Sequence, residues 1–213
     1  MNLQINKDTK LYGSFSETPG NNGCLFFNAA FEKHNINAIY KSFYSNNIKN
    51  TIDSVKHLGF SGFALSMPHK INVIPHLNHL DEISHKIGAV NTVINKNGEL
   101  TGYNTDFFGI VDFFSYINIE KNINIIGNGG FSKAIQYACK KMNIEYKVFE
   151  RKDTLTMFSV VNEVFVNATP IEFESTYNKI IDLRPHTHYG KMVAEYQAKH
   201  QFKLYTGIDY GTS

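Results

Sequence analysis

The sequence predicts an α/β protein in two parts, a mixed α/β first domain and a second domain patterned for dinucleotide binding. Three observations carry this. Short apolar runs alternate with amphipathic helical stretches through the first hundred residues, the signature of βαβ units. An Asn97-Gly98 hairpin interrupts the alternation. The pattern then restarts, with a glycine turn between an apolar run and a helix. The division falls at 1–104 and 105–213, with the last residues, about 203–213, placed as a return towards the first domain.

Taken in order, Lys10 to Phe15 reads as a strand, followed by the turn Thr18-Pro19-Gly20-Asn21-Asn22-Gly23 and a helix from about Leu25 to Lys33. Ala38 to Tyr44 is a strand. Asn47 to Leu58 is an amphipathic helix, because Ile48, Ile52, Val55 and Leu58 share one face. Gly59 to Ser66 is a strand of small and apolar residues. Val90 to Ile94 and Leu100 to Tyr103 flank Asn97-Gly98, two residues that tolerate the positive φ of a tight hairpin turn. A helix follows from Thr105 or Asp106, either of which can cap it.

In the second half Asn122 to Ile126 is a strand. Phe131 to Met142 is a helix with Phe131, Ala134, Ile135, Ala138 and Met142 in helical period. Glu145 to Phe149, Val161 to Val166 and Lys179 to Leu183 are strands. Tyr189 to Lys199 is a helix, and Phe202 to Tyr205 a last strand.

Composition narrows the function classes. With 213 residues and 42% hydrophobic content the chain can build a core. A net charge of +2, with scattered Lys and Arg, argues against a nucleic-acid partner. No apolar run approaches the ~18 residues of a membrane span, and no secretory leader is evident. Two distant cysteines, Cys24 and Cys139, suit free thiols and a cytoplasmic location.

Three segments carry chemistry: Ser66-Met67-Pro68-His69-Lys70, Gly102-Tyr103-Asn104-Thr105-Asp106 and Gly127-Asn128-Gly129-Gly130. A lysine and a carboxylate on separate loops, followed by a dinucleotide-type turn, suit proton transfer coupled to hydride transfer. Glycines let a backbone approach a pyrophosphate, and free N–H groups at a helix start receive its charge. The residues after the next strand conflict. Glu150 would bond a ribose hydroxyl and favour NAD, whereas Arg151 and Lys152 would neutralise the extra phosphate of NADP. His76-x-x-His79 and His186-x-His188 lack a visible third ligand, so no metal is assigned.

These residues resemble the shikimate dehydrogenase family, most closely its shikimate dehydrogenase-like branch. The matching stretches keep their order over most of the chain. They include Ile5-Asn6-Lys7-Asp8-Thr9, Ser14-Phe15-Ser16, Phe27-Asn28-Ala29-Ala30-Phe31, Ser66 to Lys70, Ala89-Val90-Asn91-Thr92, Gly102 to Asp106, the glycine turn and Asn167-Ala168-Thr169. The resemblance implies a substrate domain followed by a Rossmann-like NADP domain. It implies reversible reduction of 3-dehydroshikimate to shikimate on the chorismate pathway of aromatic amino acid biosynthesis. Lys70 and Asp106 would be the catalytic pair. Ser14 and Ser16 would hold the substrate carboxylate, and Ser66, Asn91 and Asp106 the ring hydroxyls. Gly127, Asn128, Gly129 and Gly130 would receive the pyrophosphate, Arg151 with Lys152 the adenosine phosphate, and Thr169 the nicotinamide side.

The chain also departs from the family. Ala64-Leu65-Ser66 replaces Asn-Val-Thr before the proline, the stretch between Arg151 and Asn167 is short, and Leu183-Arg184-Pro185-His186 replaces a tyrosine-containing segment. A substrate-touching glutamine and a last helix covering the first domain are expected to be missing. That leaves apolar surface exposed and favours a homo-oligomer. Two alternatives stay open: an impaired or repurposed relative that binds without turnover, and a dehydrogenase of quinate or a related hydroxy acid.

Overall fold

The chain divides into two units, one running to Thr105 and resuming at Ala198, the other from Asp106 to Gln197. The computed structural model describes residues 5–150, 153, 159 and 161–211. The first unit holds β1 (Lys10–Ser16), α1 (Asn22–Lys33), β2 (Ala38–Tyr44), α2 (Ile48–His57), β3 (Phe60–Leu65), α3 (His69–Asn72), β4 (His79–Leu80), α4 (Glu82–Ile87), β5 (Thr92–Lys96) and β6 (Glu99–Tyr103). Its six-stranded sheet has the order β2-β1-β3-β5-β6-β4. β1 runs parallel to β2 and β3, whereas β5 is antiparallel to β3 and β6.

Residue alternation in β1 explains why both sheet faces are covered. Phe15 joins Phe60, Phe63, Leu65 and the α2 residues Ile52 and Val55 in one core. Tyr12, on the opposite face, joins Phe27, Ala30 and Phe31 of α1 in another. The hairpin turn is built as the sequence predicts, with Asn97 at φ 55° and Gly98 at φ 91°. The stretch between Lys70 and Val90 holds elements that period alone does not reveal, among them β4 and α4. The α4 start is nonetheless written in Asp81, whose carboxylate accepts from the Ser84 N–H, and its end in Gly88 at φ 68°.

The second unit holds most of α5 (Thr105–Tyr116), then β7 (Asn122–Ile126), α6 (Gly130–Met142), β8 (Glu145–Phe149), β9 (Val164–Asn167), β10 (Lys179–Asp182) and the first part of α7 (His188–Thr206). Its four strands are all parallel in the order β10-β9-β7-β8. Ile123, Ile125, Val164, Val166 and Ile181 are buried, as are Ala134, Ile135, Ala138 and Cys139 along α6. Continuous apolar runs of this kind are what a parallel sheet covered on its faces requires.

Two expectations need correction at α7. Phe202 to Tyr205 is helix, not strand, because α7 continues unbroken to Thr206. Ala198, Phe202 and Tyr205 fall at i, i+4 and i+7, the spacing of one helical face, and all three are buried in the core containing Tyr12, Phe27 and Phe31. This face of the first unit is therefore covered by the chain's own last helix, so the apolar surface expected there is not exposed. Tyr12 Oη fastens it by donating to the Tyr205 carbonyl at 3.0 Å. The helix also carries Gln197 and Gln201; Gln201 is buried and donates to Tyr205 Oη at 2.8 Å.

Among the described residues no helix is long and apolar enough to cross a membrane. Both cysteines are free thiols, and burial pushes that of Cys139 up to about 12.

Candidate functional site

In the first unit the candidate residues cluster where the parallel strands end. Ser16 closes β1, Ser66 follows β3, and the register that pairs Ala64 with Thr92 and Thr92 with Tyr103 brings Asn91 and Asn104 to the same sheet edge. Ligands of α/β sheets bind at such carboxyl ends, where loops diverge and backbone groups face outward.

Main-chain hydrogen bonds knit this edge. The Ser66 N–H donates to Phe15 O at 3.2 Å, Leu65 N–H to Asn91 O at 2.8 Å, and Asn91 N–H to Tyr103 O at 3.1 Å. The Val90 N–H donates to Lys70 O at 2.8 Å. The half-buried Lys70 is thus tied through its own carbonyl to the residue preceding Asn91. Lys70 lies in the short helix α3 and not on a loop as the sequence suggests; the neighbouring His69 is 2% exposed, with Nε2 2.8 Å from Ser45 O, which fixes α3 to the end of β2 from the other side.

Asn91 does more than the sequence indicated. Its Oδ1 accepts the Thr105 N–H at 2.7 Å and the Thr92 hydroxyl at 3.1 Å, while its Nδ2 donates to Thr105 Oγ1 at 2.9 Å. The Thr92 and Thr105 hydroxyls lie 3.0 Å apart. An acceptor for the N–H that opens α5 therefore comes from Asn91, 14 residues upstream. Asn104, buried, donates to Ala89 O at 2.9 Å. Together these bonds set the helix start that carries Asp106, itself 5% exposed.

Ser14 sits in a smaller polar cluster. Its hydroxyl donates to Ser42 Oγ at 3.0 Å, and Ser42 Oγ lies 3.3 Å from Cys24 Sγ. Burial pushes the nearby Tyr40 phenol well up, with a hydrogen bond to the Ser14 side chain acting in the opposite direction.

The second unit holds the other candidates. Gly127 has φ 105°, and a Cβ there would fall 2.8 Å from Thr169 Cγ2. The turn after β7 and the loop after β9 thus touch at a point where only glycine fits. A Cβ at Gly129 would meet nothing within 4 Å, which leaves the start of the 13-residue helix α6 open to an approaching group. Ser132, where a third glycine is usual, donates from its buried hydroxyl to Gly127 O at 2.7 Å and so tightens the turn. Asn128 Nδ2 donates to Glu150 Oε1 at 2.8 Å. Arg151 and Lys152 lie outside the described residues.

Thr169 is held by Asn167, whose Oδ1 accepts both the Thr169 N–H at 3.0 Å and its hydroxyl at 2.8 Å. Sequence reasoning noted Asn167 as part of a matching stretch but gave it no role. Nothing in the sequence marked Glu172, which is linked to Asn167 through Arg184 and Asp182.

Comparison with known proteins follows the same outline. Residues 22–93 match the shikimate dehydrogenase substrate binding domain. A shikimate dehydrogenase-like protein of Haemophilus influenzae is 39% identical over 150 residues, covering 69% of this chain and 55% of that protein. A shikimate dehydrogenase (NADP(+)) of Pyrococcus furiosus is 37% identical over 167 residues, covering 75% and 61%. The matched stretch thus spans a little over half the length of these curated relatives. The solved structure of a shikimate 5-dehydrogenase-like protein superposes with a TM-score of 0.78 at 29% identity, over 97% of this chain and 94% of that one. By these matches, the chain belongs to the shikimate dehydrogenase family.

Proposed function

We propose that this protein is an NADP-dependent oxidoreductase that interconverts 3-dehydroshikimate and shikimate. The observation that carries the reading is the hydrogen-bonded edge that joins α3 with Lys70, Asn91 and the helix start bearing Asp106.

The cradle at α6 suits a dinucleotide. Gly127 allows a close backbone approach, Gly129 leaves open space, and N–H groups at a helix start attract phosphate. Gly127, Asn128, Gly129 and Gly130 would hold the pyrophosphate and Thr169 the nicotinamide side. Curated relatives named for NADP(+) support that form, and Arg151 with Lys152 remain the proposed partners of its extra phosphate. When bound, the cofactor supplies hydride to the keto carbon of the substrate.

This chain's own residues handle charge and position. The Lys70 ammonium gives a proton to the oxygen that gains negative charge, and Asp106 orients that ammonium and the reacting hydroxyl. Ser14 and Ser16 hold the carboxylate, and Ser66 with Asn91 bonds the ring hydroxyls. A polyhydroxy acid needs this many contacts, since each buried hydroxyl left without a partner costs about 1–3 kcal/mol.

Nicotinamide absorbance with NADPH and 3-dehydroshikimate, and with NADP and shikimate or quinate, tests the reading. Turnover of the shikimate pair is expected. Turnover of quinate alone reassigns the substrate, NAD preferred over NADP shows that Glu150 governs the cofactor, and binding without turnover makes the chain a repurposed relative.

A further inference from the structure

Most of the family resemblance is accounted for by the two half-sites. What remains is the segment Leu183-Arg184-Pro185-His186 that follows β10, to which the reading above gives no role. Arg184 is 8% exposed, unusual for an arginine. Its Nε donates to Asp182 Oδ2 at 2.8 Å, its Nη2 reaches the same oxygen at 2.7 Å, and Nη2 also donates to Glu172 Oε1 at 2.7 Å. One guanidinium therefore joins the end of β10 to the loop that follows β9.

The contacts continue to Thr169. Asp182 Oδ1 accepts from Arg184 N–H at 3.0 Å and from Asn167 Nδ2 at 3.3 Å. Asn167 Nδ2 also donates to Ile171 O at 2.8 Å, and its Oδ1 carries Thr169. Leu183 N–H donates to Asn167 O at 3.2 Å. Thr169 in turn abuts Gly127. Glu172 is the exposed end of this chain of contacts, with a 68% exposed side chain.

We propose that Arg184 is a positioning residue for dinucleotide binding: paired with Asp182 and Glu172, it clamps the 167–172 loop so that Thr169 is held against the glycine turn before the cofactor arrives. The inference rests on the cofactor reading above. Binding a dinucleotide to a loop already in place avoids the ordering cost that a loose loop imposes, and a planar fork between two carboxylates holds geometry better than a single flexible amine. The charge states agree. Arg184's hydrogen bond and positive charge hold the Glu172 carboxyl below its usual range. Burial works against the charged form of Asp182, yet the hydrogen bonds from Arg184 and Asn167 prevail and its carboxyl is also lowered.

The test uses the full chain, with NADPH and NADH as probes followed by nicotinamide fluorescence, and amide hydrogen exchange of residues 167–172 in the free protein. Glu172→Gln removes only a surface charge and is expected to fold normally. It should weaken NADPH binding about threefold and speed exchange in the loop. Arg184→Gln should weaken binding about tenfold or more, the conversion of one lost charge-assisted hydrogen bond, with kcat at saturating cofactor within about twofold of wild type. Arg184→Lys, which keeps the charge but not the fork, should recover part of the loss. Wild-type binding of NADPH together with unchanged binding and exchange in Glu172→Gln and Arg184→Lys overturns the clamp alone. A wild-type chain that binds neither nucleotide overturns the cofactor reading and the clamp together.

Discussion

Replacing Asn91 with alanine probes the join between the segment that bears Lys70 and the helix that bears Asp106. The substitution deletes the side chain's hydrogen bonds, among them those with the Thr105 N–H at 2.7 Å, Thr105 Oγ1 at 2.9 Å and the Thr92 hydroxyl at 3.1 Å. The two threonine hydroxyls, 3.0 Å apart, can still serve each other. The loss therefore concentrates on the Thr105 N–H, at a residue that is fully buried. A buried donor that loses its acceptor costs about 1–3 kcal/mol, and the vacated side-chain volume adds roughly 1 kcal/mol more. A destabilisation of about 2–4 kcal/mol is expected, equivalent to roughly 5–15 °C in Tm for a chain of this size. Because the same N–H opens α5, Asp106 loses its fixed origin, and kcat should fall by about tenfold in protein that remains folded. Thr92→Val is the companion variant, expected to lose less than about 1 kcal/mol because the β-branched shape stays in its strand. Urea denaturation and steady-state kinetics read both effects. A change below about 1 kcal/mol with unaltered kcat in Asn91→Ala would refute the claim that this amide organises the edge.

Three further outcomes follow from the same structure. Lys70→Ala should lower kcat by roughly 10²–10⁴-fold with little change in substrate affinity, since a positioned acid contributes that much; near-normal kcat would remove Lys70 from the mechanism. Phe202→Ala should cost about 3–5 kcal/mol in urea denaturation, because its fully buried ring packs 6.1 Å from Phe31 and 5.8 Å from Tyr210; a loss under about 1 kcal/mol would mean that the end of α7 is not docked. Asp182 and Glu172 have lowered folded-state values, so what they contribute is fully present above their ordinary values of about 4 and is lost as pH falls through the lower folded ones. Arg184→Gln should therefore flatten the acid limb of a stability–pH profile below about pH 4, whereas an unchanged limb would show that the pairing adds nothing.

The regular elements were legible because their signals are local. Hydrophobic period placed α2 and α6, and Asn97-Gly98 placed the hairpin. The end of α7 misread as a strand because Phe202, Leu204 and Tyr205 look β-prone in isolation; only the spacing from Ala198 shows that they continue a helix whose face is decided by a core assembled from Tyr12, Phe27 and Phe31. That is tertiary context overriding propensity. Candidate site residues divided along the same line. Lys70, Asp106 and the glycine turn stand in short motifs that a sequence displays directly. Asn91's hold on Thr105 is a contact across 14 residues and a hairpin, and it needs the β5–β6 register to exist at all. Arg184 was visible as a departure from the family pattern, but its partners 2 and 12 residues away acquire meaning only once the parallel pairing of β9 with β10 sets Asn167 beside Asp182. Motifs display the groups proposed to touch a ligand; the residues that hold those groups still become visible only when the sheet is in register.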